Sequence, residues 1–521
     1  MSRRPHIRRR LAAAFLAALA FAALAEPAFA QYFGRNKVQY ERFRFQVLST
    51  DHFDIHYYPE EEAAARDLGR MAERWYDRFV VAMERAPSDR KPIILYANHA
   101  DFQQTNVLEG FLGEGTGGVT ESAKSRVVMP LTGDYAGSDH VLGHELIHVF
   151  QYDIAQADED TLVFRMERMP LWLIEGMAEY LSVGRNDPNT AMWLRDAVLH
   201  DDFPTIKQLT TDPKYFPYRY GQALWAYVAG RWGDDAVRKI FFAAGRRNLD
   251  YAFARFTGMR TDTLSKVWAQ DTRRAYRLDM AGRTPPDSAG VKVLAPDLDG
   301  GTVNIAPVAS PDGSQVAFLS ERDLFSIDLF MADARTGKVR KRLTSTATDA
   351  HFDALRYIDS AGSWSPDGRR FAFVVFAKGN NEILLVDSDS GKLRQRIRAP
   401  GVGGIATPSW SPDGRSIVFS GTAGGISDLY LTDLETGSTQ QITRGKEAEL
   451  SPTWSPDGRT LAFVTDRGPD TDFDRLVYGK MRIGLMDVAS GEIRTLMPFP
   501  GAKHIDPQFS PDGRSLYFVS D

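Results

Sequence analysis

The 521-residue chain contains no cysteine. It can therefore form no disulfide, has no thiol nucleophile and offers no cysteine for lipid attachment. Any metal must be held by His, Asp or Glu. There is no long basic run outside the first ten residues, and the formal net charge is −5. Nucleic acid is thereby disfavoured as a partner. Beyond residue 30 no segment is apolar and long enough to cross a bilayer, so stable membrane insertion is not expected. No G-x-S-x-G elbow is present, which leaves a serine hydrolase, with its catalytic domain beyond Asp521, without support. At 43% hydrophobic and 25% charged, the composition is that of a globular chain with room for two or three domains.

The N-terminus carries what the rest lacks. A basic stretch, MSRRPHIRRR, precedes the apolar run LAAAFLAALAFAALA and a small-x-small signal at Ala28 to Ala30. This is the layout of a secretory signal peptide over residues 1–30, with the mature chain starting at Gln31. Loss of five Arg and one Glu would take the net charge from −5 to −9. A periplasmic or secreted location is expected.

From about residue 291 the chain repeats. A S-P-D-G turn ends at Gly313, Gly368, Gly414, Gly458 and Gly513, with spacings of 55, 46, 44 and 55 residues. Each turn is followed by an alternating or apolar strand such as RSIVFSG. Pro presets φ and Gly accepts φ > 0, so each copy is a tight turn between strands. Strands at this period indicate propeller blades. Trp364, Trp410 and Trp454 precede three of the turns and are expected to pack between blades. The fifth copy stops after one strand at Asp521, so the ring is expected to be incomplete, or closed by VKVLAP at 291–296 as an outer strand. These repeats resemble the TolB-type propeller family over residues 291–521.

GRTPPDSAG, residues 282–290, reads as a linker. Residues 31–281 mix strands (HFDIHYY, KPIILYA, SRVVMPL) with helices predicted over 60–85, 139–153, 170–183, 190–199, 219–231, 234–244 and 262–277. That is an α+β pattern. The chemistry concentrates in His144-Glu145-Leu146-Ile147-His148. Residues four apart share a helix face, so both imidazoles can reach one ion, while Glu145 is turned about 100° away toward a metal-bound water. Ser138 or Asp139 is the expected N-cap. A zinc site needs a third protein ligand. LWLIEGMAEYL, residues 171–181, places Glu175 and Glu179 four apart among apolar residues, where a buried carboxylate is costly unless it is paired. Glu175 is the candidate third ligand and Glu179 the candidate to orient a histidine. His140 is a further candidate ligand, whereas His52, His56 and His99 fall on strands or strand ends and read as structural.

HELIH, followed 27 residues after His148 by the Glu of WLIEGMAEY, resembles the gluzincin metallopeptidases. The whole chain resembles exported bacterial proteins that join a peptidase-MA-like domain to a TolB-type propeller. The resemblance implies a multidomain protein, an α+β zincin-like metallopeptidase domain followed by an all-β propeller. It implies Zn²⁺ on His144, His148 and Glu175. It also implies a substrate-binding edge strand within Gly117 to Glu121, and an oxyanion donor downstream of Glu175. Tyr220 is the first choice for that donor and Tyr218 the second; Tyr215 lies in the same stretch.

The expected activity is peptide hydrolysis. Zinc lowers the pKa of its water to about 7, Glu145 takes the proton and passes it to the leaving amine, and zinc with Tyr220 stabilises the oxyanion. The partners are a peptide or protein substrate and a protein at the propeller. The alternative is a non-catalytic cell-envelope scaffold built on the propeller and a degenerate peptidase fold.

Overall fold

In the computed structural model the described residues are 39–107, 112–156, 164–323, 326–346, 354–355 and 360–521. The expected signal peptide and Gln31 lie outside them. Among the described residues, no helix is long and apolar enough to cross a membrane.

The N-terminal region opens with a five-stranded sheet: β1 (Gln46–Ser49), β2 (Phe53–Tyr57), β3 (Lys91–Tyr96), β4 (Val119–Glu121) and β5 (Arg126–Pro130), in the order β1-β2-β3-β5-β4. β2, β3 and β5 run parallel, and β1 and β4 are antiparallel to their neighbours. Strict alternation in β2 buries Phe53, Ile55 and Tyr57 on one face. Against that face lies α1 (Glu62–Met83), whose Leu68, Met71, Ala72, Trp75 and Phe79 recur at helical spacing and are buried. Then come α2 (Tyr135–Gln156), α3 (Leu171–Val183) and α4 (Pro217–Trp232), with further helices over Pro188–Leu199, Ile206–Thr211, Asp235–Arg246, Leu249–Thr257 and Thr261–Asp279. The helix over 249–257 and the short one over 206–211 are absent from the sequence reading. α2 begins four residues before the predicted start. Its cap is Asp134, which accepts from the Gly137 N–H at 2.6 Å, and not Ser138 or Asp139. Ser138 instead accepts from the Thr132 amide, and Asp139 pairs with Arg74 and Trp75.

The C-terminal region is a succession of antiparallel sheets. The first runs over Asn304–Ala309, Gln315–Ser320, Asp328–Asp333 and Val339–Arg342. The second is built on Arg370–Ala377, Asn380–Asp387 and Leu393–Ile397, with Ser363–Trp364 paired to the first of these. The third (404–441) and fourth (449–496) are four-stranded, and a two-stranded pair, His504–Phe509 and Leu516–Ser520, follows. The S-P-D-G turns are superimposable in chemistry. In each, the Ser hydroxyl donates to the Asp two residues on at 2.6 Å and the Gly has φ between +68° and +72°. Trp364 bonds back to the Val308 carbonyl of the preceding blade, and Trp410 and Trp454 fill the next two gaps, as expected. Residues 291–296 form no strand; they lie beside the first blade, where Leu294 packs with Phe318 and Phe330.

Leading strands of consecutive blades, Gly404–Trp410, Glu449–Trp454 and His504–Phe509, pack on one another and form the inner wall. Each carries a β-bulge, and the residue before its proline has left-handed φ: Thr407 (47°), Ser451 (49°) and Asp506 (52°), as does Ala306 (51°) in the first blade.

The two regions are not independent. Gly133 bridges Ile426, and the Ser427 amide donates to the Gly133 carbonyl at 2.8 Å. Lys446 pairs with Asp67, and Arg74 donates to the Leu476 carbonyl. Leu476 and Ile426 belong to the apolar core of the N-terminal region, and Phe473 and Tyr478 pack on Tyr135.

Candidate metal centre

α2 presents His144 and His148 on one face, and α3 brings Glu175 to meet them. Glu175 Oε2 lies 3.2 Å from His144 Nε2 and 3.1 Å from His148 Nε2, and the two Nε2 atoms are 3.3 Å apart. All three ligand atoms fall within 4.8 Å of one another, and both histidines are buried. The far nitrogen of each imidazole is also engaged. His148 Nδ1 sits 2.8 Å from Gln151 Oε1, and His144 Nδ1 is 3.6 Å from Glu179 Oε1. Glu179 is in turn held by Arg219, which also pairs with Asp187. Such partners fix ring orientation.

Burial is the largest influence on Glu175 and raises its carboxyl, but hydrogen bonds from both imidazoles outweigh it and the net shift is downward. Burial likewise lowers His148, yet Glu175, Glu145 and Gln151 together raise it to about 9. His140 stands one turn away, its Nε2 3.8 Å from Glu179, outside the cluster. His52 pairs with Glu73 and stacks on Tyr76, His56 sits within β2, and His99 faces the Thr116 carbonyl.

Glu145 points elsewhere. Its Oε2 accepts from Thr120 Oγ1 at 2.6 Å, and Thr120 belongs to β4, the last strand of the sheet. Just ahead of β4, a Cβ on Gly118 would lie 2.9 Å from Glu145 Cγ, so only glycine lets the backbone pass this close to the carboxylate. Gly118 and Thr120 thus lie beside Glu145 at the sheet edge.

Of the candidate tyrosines, Tyr218 and not Tyr220 lies against the cluster. Tyr218 stacks on His144, centroids 5.7 Å apart and planes at 19°. Burial, then the Glu175 and Glu145 carboxylates, push its phenol up, which keeps it neutral and a donor. Tyr220 is turned into an aromatic cluster with Tyr215, Phe203 and Trp193, and Tyr215 bonds Asp202. Burial raises the Tyr220 phenol to about 12, with Asp202 and Asp196 as its charged neighbours rather than the metal-site acids. α4 is oriented by a close crossing: a Cβ on Gly176 would lie 2.4 Å from Gly221. Tyr218, three residues before Gly221, shares the face turned to α3. Gln151 and Arg219 were not among the residues singled out in the sequence, and Thr120 was covered only as part of Gly117 to Glu121; of the first two, only Gln151 had a readable signal, its place one turn after His148.

With the fold and site in place, the class of the C-terminal region is settled: it is a β-propeller domain. Residues 356–476 match the family described as the TolB beta propeller domain. TolB from Acinetobacter baumannii is similar at 26% identity and a TM-score of 0.33, over 41% of this chain and 48% of that one. A putative TolB from Agrobacterium tumefaciens is similar at 25% identity and a TM-score of 0.35, over 43% and 78%. An uncharacterized protein of Treponema pallidum (strain Nichols) is 25% identical over 234 residues, 41% of this chain and 20% of that protein. The chain thus spans 20% of the length of this curated relative and 48% of the A. baumannii TolB.

Proposed function

We propose that the chain is an exported, periplasmic or secreted, zinc-dependent peptidase with a zincin-like, gluzincin-type N-terminal domain and a TolB-type propeller that governs access or partner choice. One observation carries this reading: His144, His148 and Glu175 converge to within 4.8 Å while Glu145, one residue along α2, is held apart by Thr120. The donor set of two imidazoles and one carboxylate, with oriented far nitrogens, suits zinc and leaves a coordination position for chemistry. Bound there, zinc supplies Lewis acidity, lowering the pKa of water and polarising a carbonyl. Glu145 takes the proton of the attacking water and delivers it to the leaving amine. Tyr218 donates to the developing oxyanion. The free edge of β4 pairs with an extended substrate beside Glu145.

The test is zinc content, by mass spectrometry, alongside cleavage of a randomised peptide mixture. Wild type and Glu145→Gln should both hold about one zinc per chain, and Glu145→Gln should lose about 10²-fold or more in cleavage. Glu175→Ala and His148→Ala should lose zinc and activity together, and His140→Ala should keep its zinc. Wild-type protein that binds no zinc would sink the reading. The TolB-type match favours a second reading, a non-catalytic envelope scaffold with a protein partner at the propeller; zinc binding without any peptide cleavage would turn the choice to it.

A further inference from the structure

A cavity of about 350 Å³ lies where the N-terminal region meets the propeller. One wall is the segment leading into β4, Glu114 to Gly117, with Thr132 and Asp134 beside it; the other is the propeller's inner wall at Gly404, Thr407, Leu450 and Ser451. Its size falls within the roughly 300–1,000 Å³ of ligand pockets.

Its position relative to Glu145 gives it a role. Among the described residues β4 ends the sheet, with β5 as its only strand neighbour there. A strand added to its free edge passes Glu145, because the Gly118 backbone lies against that side chain. Continuing past Gly118 toward Gly117, the same strand enters the cavity. Antiparallel pairing is the more stable arrangement. In it the substrate runs opposite to β4, so its residues beyond the scissile bond, on the carboxyl side, lie toward Gly117. Apart from Ile405 and Leu450, the facing propeller wall is built of Gly, Ala, Ser and Thr residues. The bulges at Thr407 and Ser451 re-aim main-chain groups there, so the wall is suited to an extended main chain and not to a particular side chain.

We infer that this cavity is a subsite for the carboxyl-side portion of an extended, unfolded peptide substrate, with one wall supplied by the propeller. The inference rests on the peptidase reading of the metal centre. It is tested by binding, separately from cleavage. The zinc-loaded full chain carrying Glu145→Gln is titrated with fluorescein-labelled randomised tetrapeptides that bear four alanines at either the carboxyl or the amino end. Ser451→Trp, which fills the cavity, should raise Kd for the carboxyl-tailed peptides about tenfold and leave the amino-tailed ones within about twofold. Ser451→Ala should change neither. Zinc content checks that Ser451→Trp is folded, and Thr407→Trp repeats the test from the neighbouring blade. Equal weakening of both probes, or no weakening of either, overturns the subsite. Hydrolysis by the wild-type chain with tail-insensitive binding overturns the subsite alone. Tail-dependent binding without any hydrolysis supports the subsite and sinks the peptidase reading.

Discussion

Tyr218→Phe removes one hydroxyl and nothing else. The ring that stacks on His144 at 5.7 Å stays, so the imidazole keeps its packing and the cluster its three donors. Folding and zinc content should therefore be unchanged. What is lost is a neutral donor in a half-buried site, its phenol raised first by burial and then by Glu175 and Glu145. Deleting one oxyanion donor elsewhere lowers kcat by about 10²–10³-fold, or about 3–4 kcal/mol of transition-state stabilisation. The same range is expected here, in kcat and not in KM, because the oxyanion exists only in the transition state. Tyr220→Phe is the matched control: its ring packs with Tyr215, Phe203 and Trp193, away from the cluster. It should stay within about twofold of wild type, as substitutions away from special features usually do. Steady-state kinetics on a quenched fluorescent peptide, with zinc measured on each variant, decides the matter. If Tyr220→Phe is crippled and Tyr218→Phe is not, the assignment of the donor is refuted. If both are normal, Tyr218 only packs.

Other outcomes follow from the same geometry. Gly118→Ala would set a Cβ 2.9 Å from Glu145 Cγ, so the carboxylate must move; kcat/KM should fall by about tenfold or more with zinc retained, and unchanged kinetics would count against the placement of Glu145. The fragment 31–281 bares the surface that Leu476, Phe473 and Tyr478 cover, so it should bind a hydrophobic dye and melt below the full chain; an equal melting temperature would show that the contact is dispensable. Burial, then Glu60, raises Glu61 from 4.5 to about 7, and burial, then Glu41 and Glu61, raises Asp101 from 3.8 to about 7. Both folded values lie above the unfolded ones, so their contribution is full below about pH 4 and is lost as pH rises through about 7. Glu61→Gln should flatten the fall in melting temperature over that window, and an unaltered slope would refute the assignment.

The parts of the site that were legible in the sequence are those governed by one helix. His144 and His148 follow from a four-residue spacing, and Glu175 from the cost of a carboxylate among Trp172, Leu173 and Met177. Tyr218 was not separable from Tyr220, because two residues along a helix amount to about 200° of rotation and only the neighbouring helix says which side faces His144. The signal was present as Gly176 and Gly221, but two glycines mark a crossing only once they are known to meet. Blade chemistry was legible because each turn bonds within itself, Ser365 to Asp367 being typical. The cap of α2 was misplaced for the opposite reason: Ser138 and Asp139 are drawn to Thr132, Arg74 and Trp75, partners remote in sequence or in an adjoining loop. The surface shared by the two regions was likewise unreadable, since the linker composition at 282–290 speaks only of the chain that joins them.

That shared surface bears on how the protein is made. The N-terminal region leaves the ribosome first, yet Ile426 and Leu476, which complete its core, come off it far later. At about 5–20 residues per second, the stretch from 281 to 478 takes roughly 10–40 s to synthesise. Throughout that interval the N-terminal region stays unsealed along the first turn of α2, where Tyr135 awaits Phe473 and Tyr478. Completion of the N-terminal region is thereby timed by the blades over 404–496, and a chain cut short before residue 473 would carry His144, His148 and Glu175 on a scaffold that never closes.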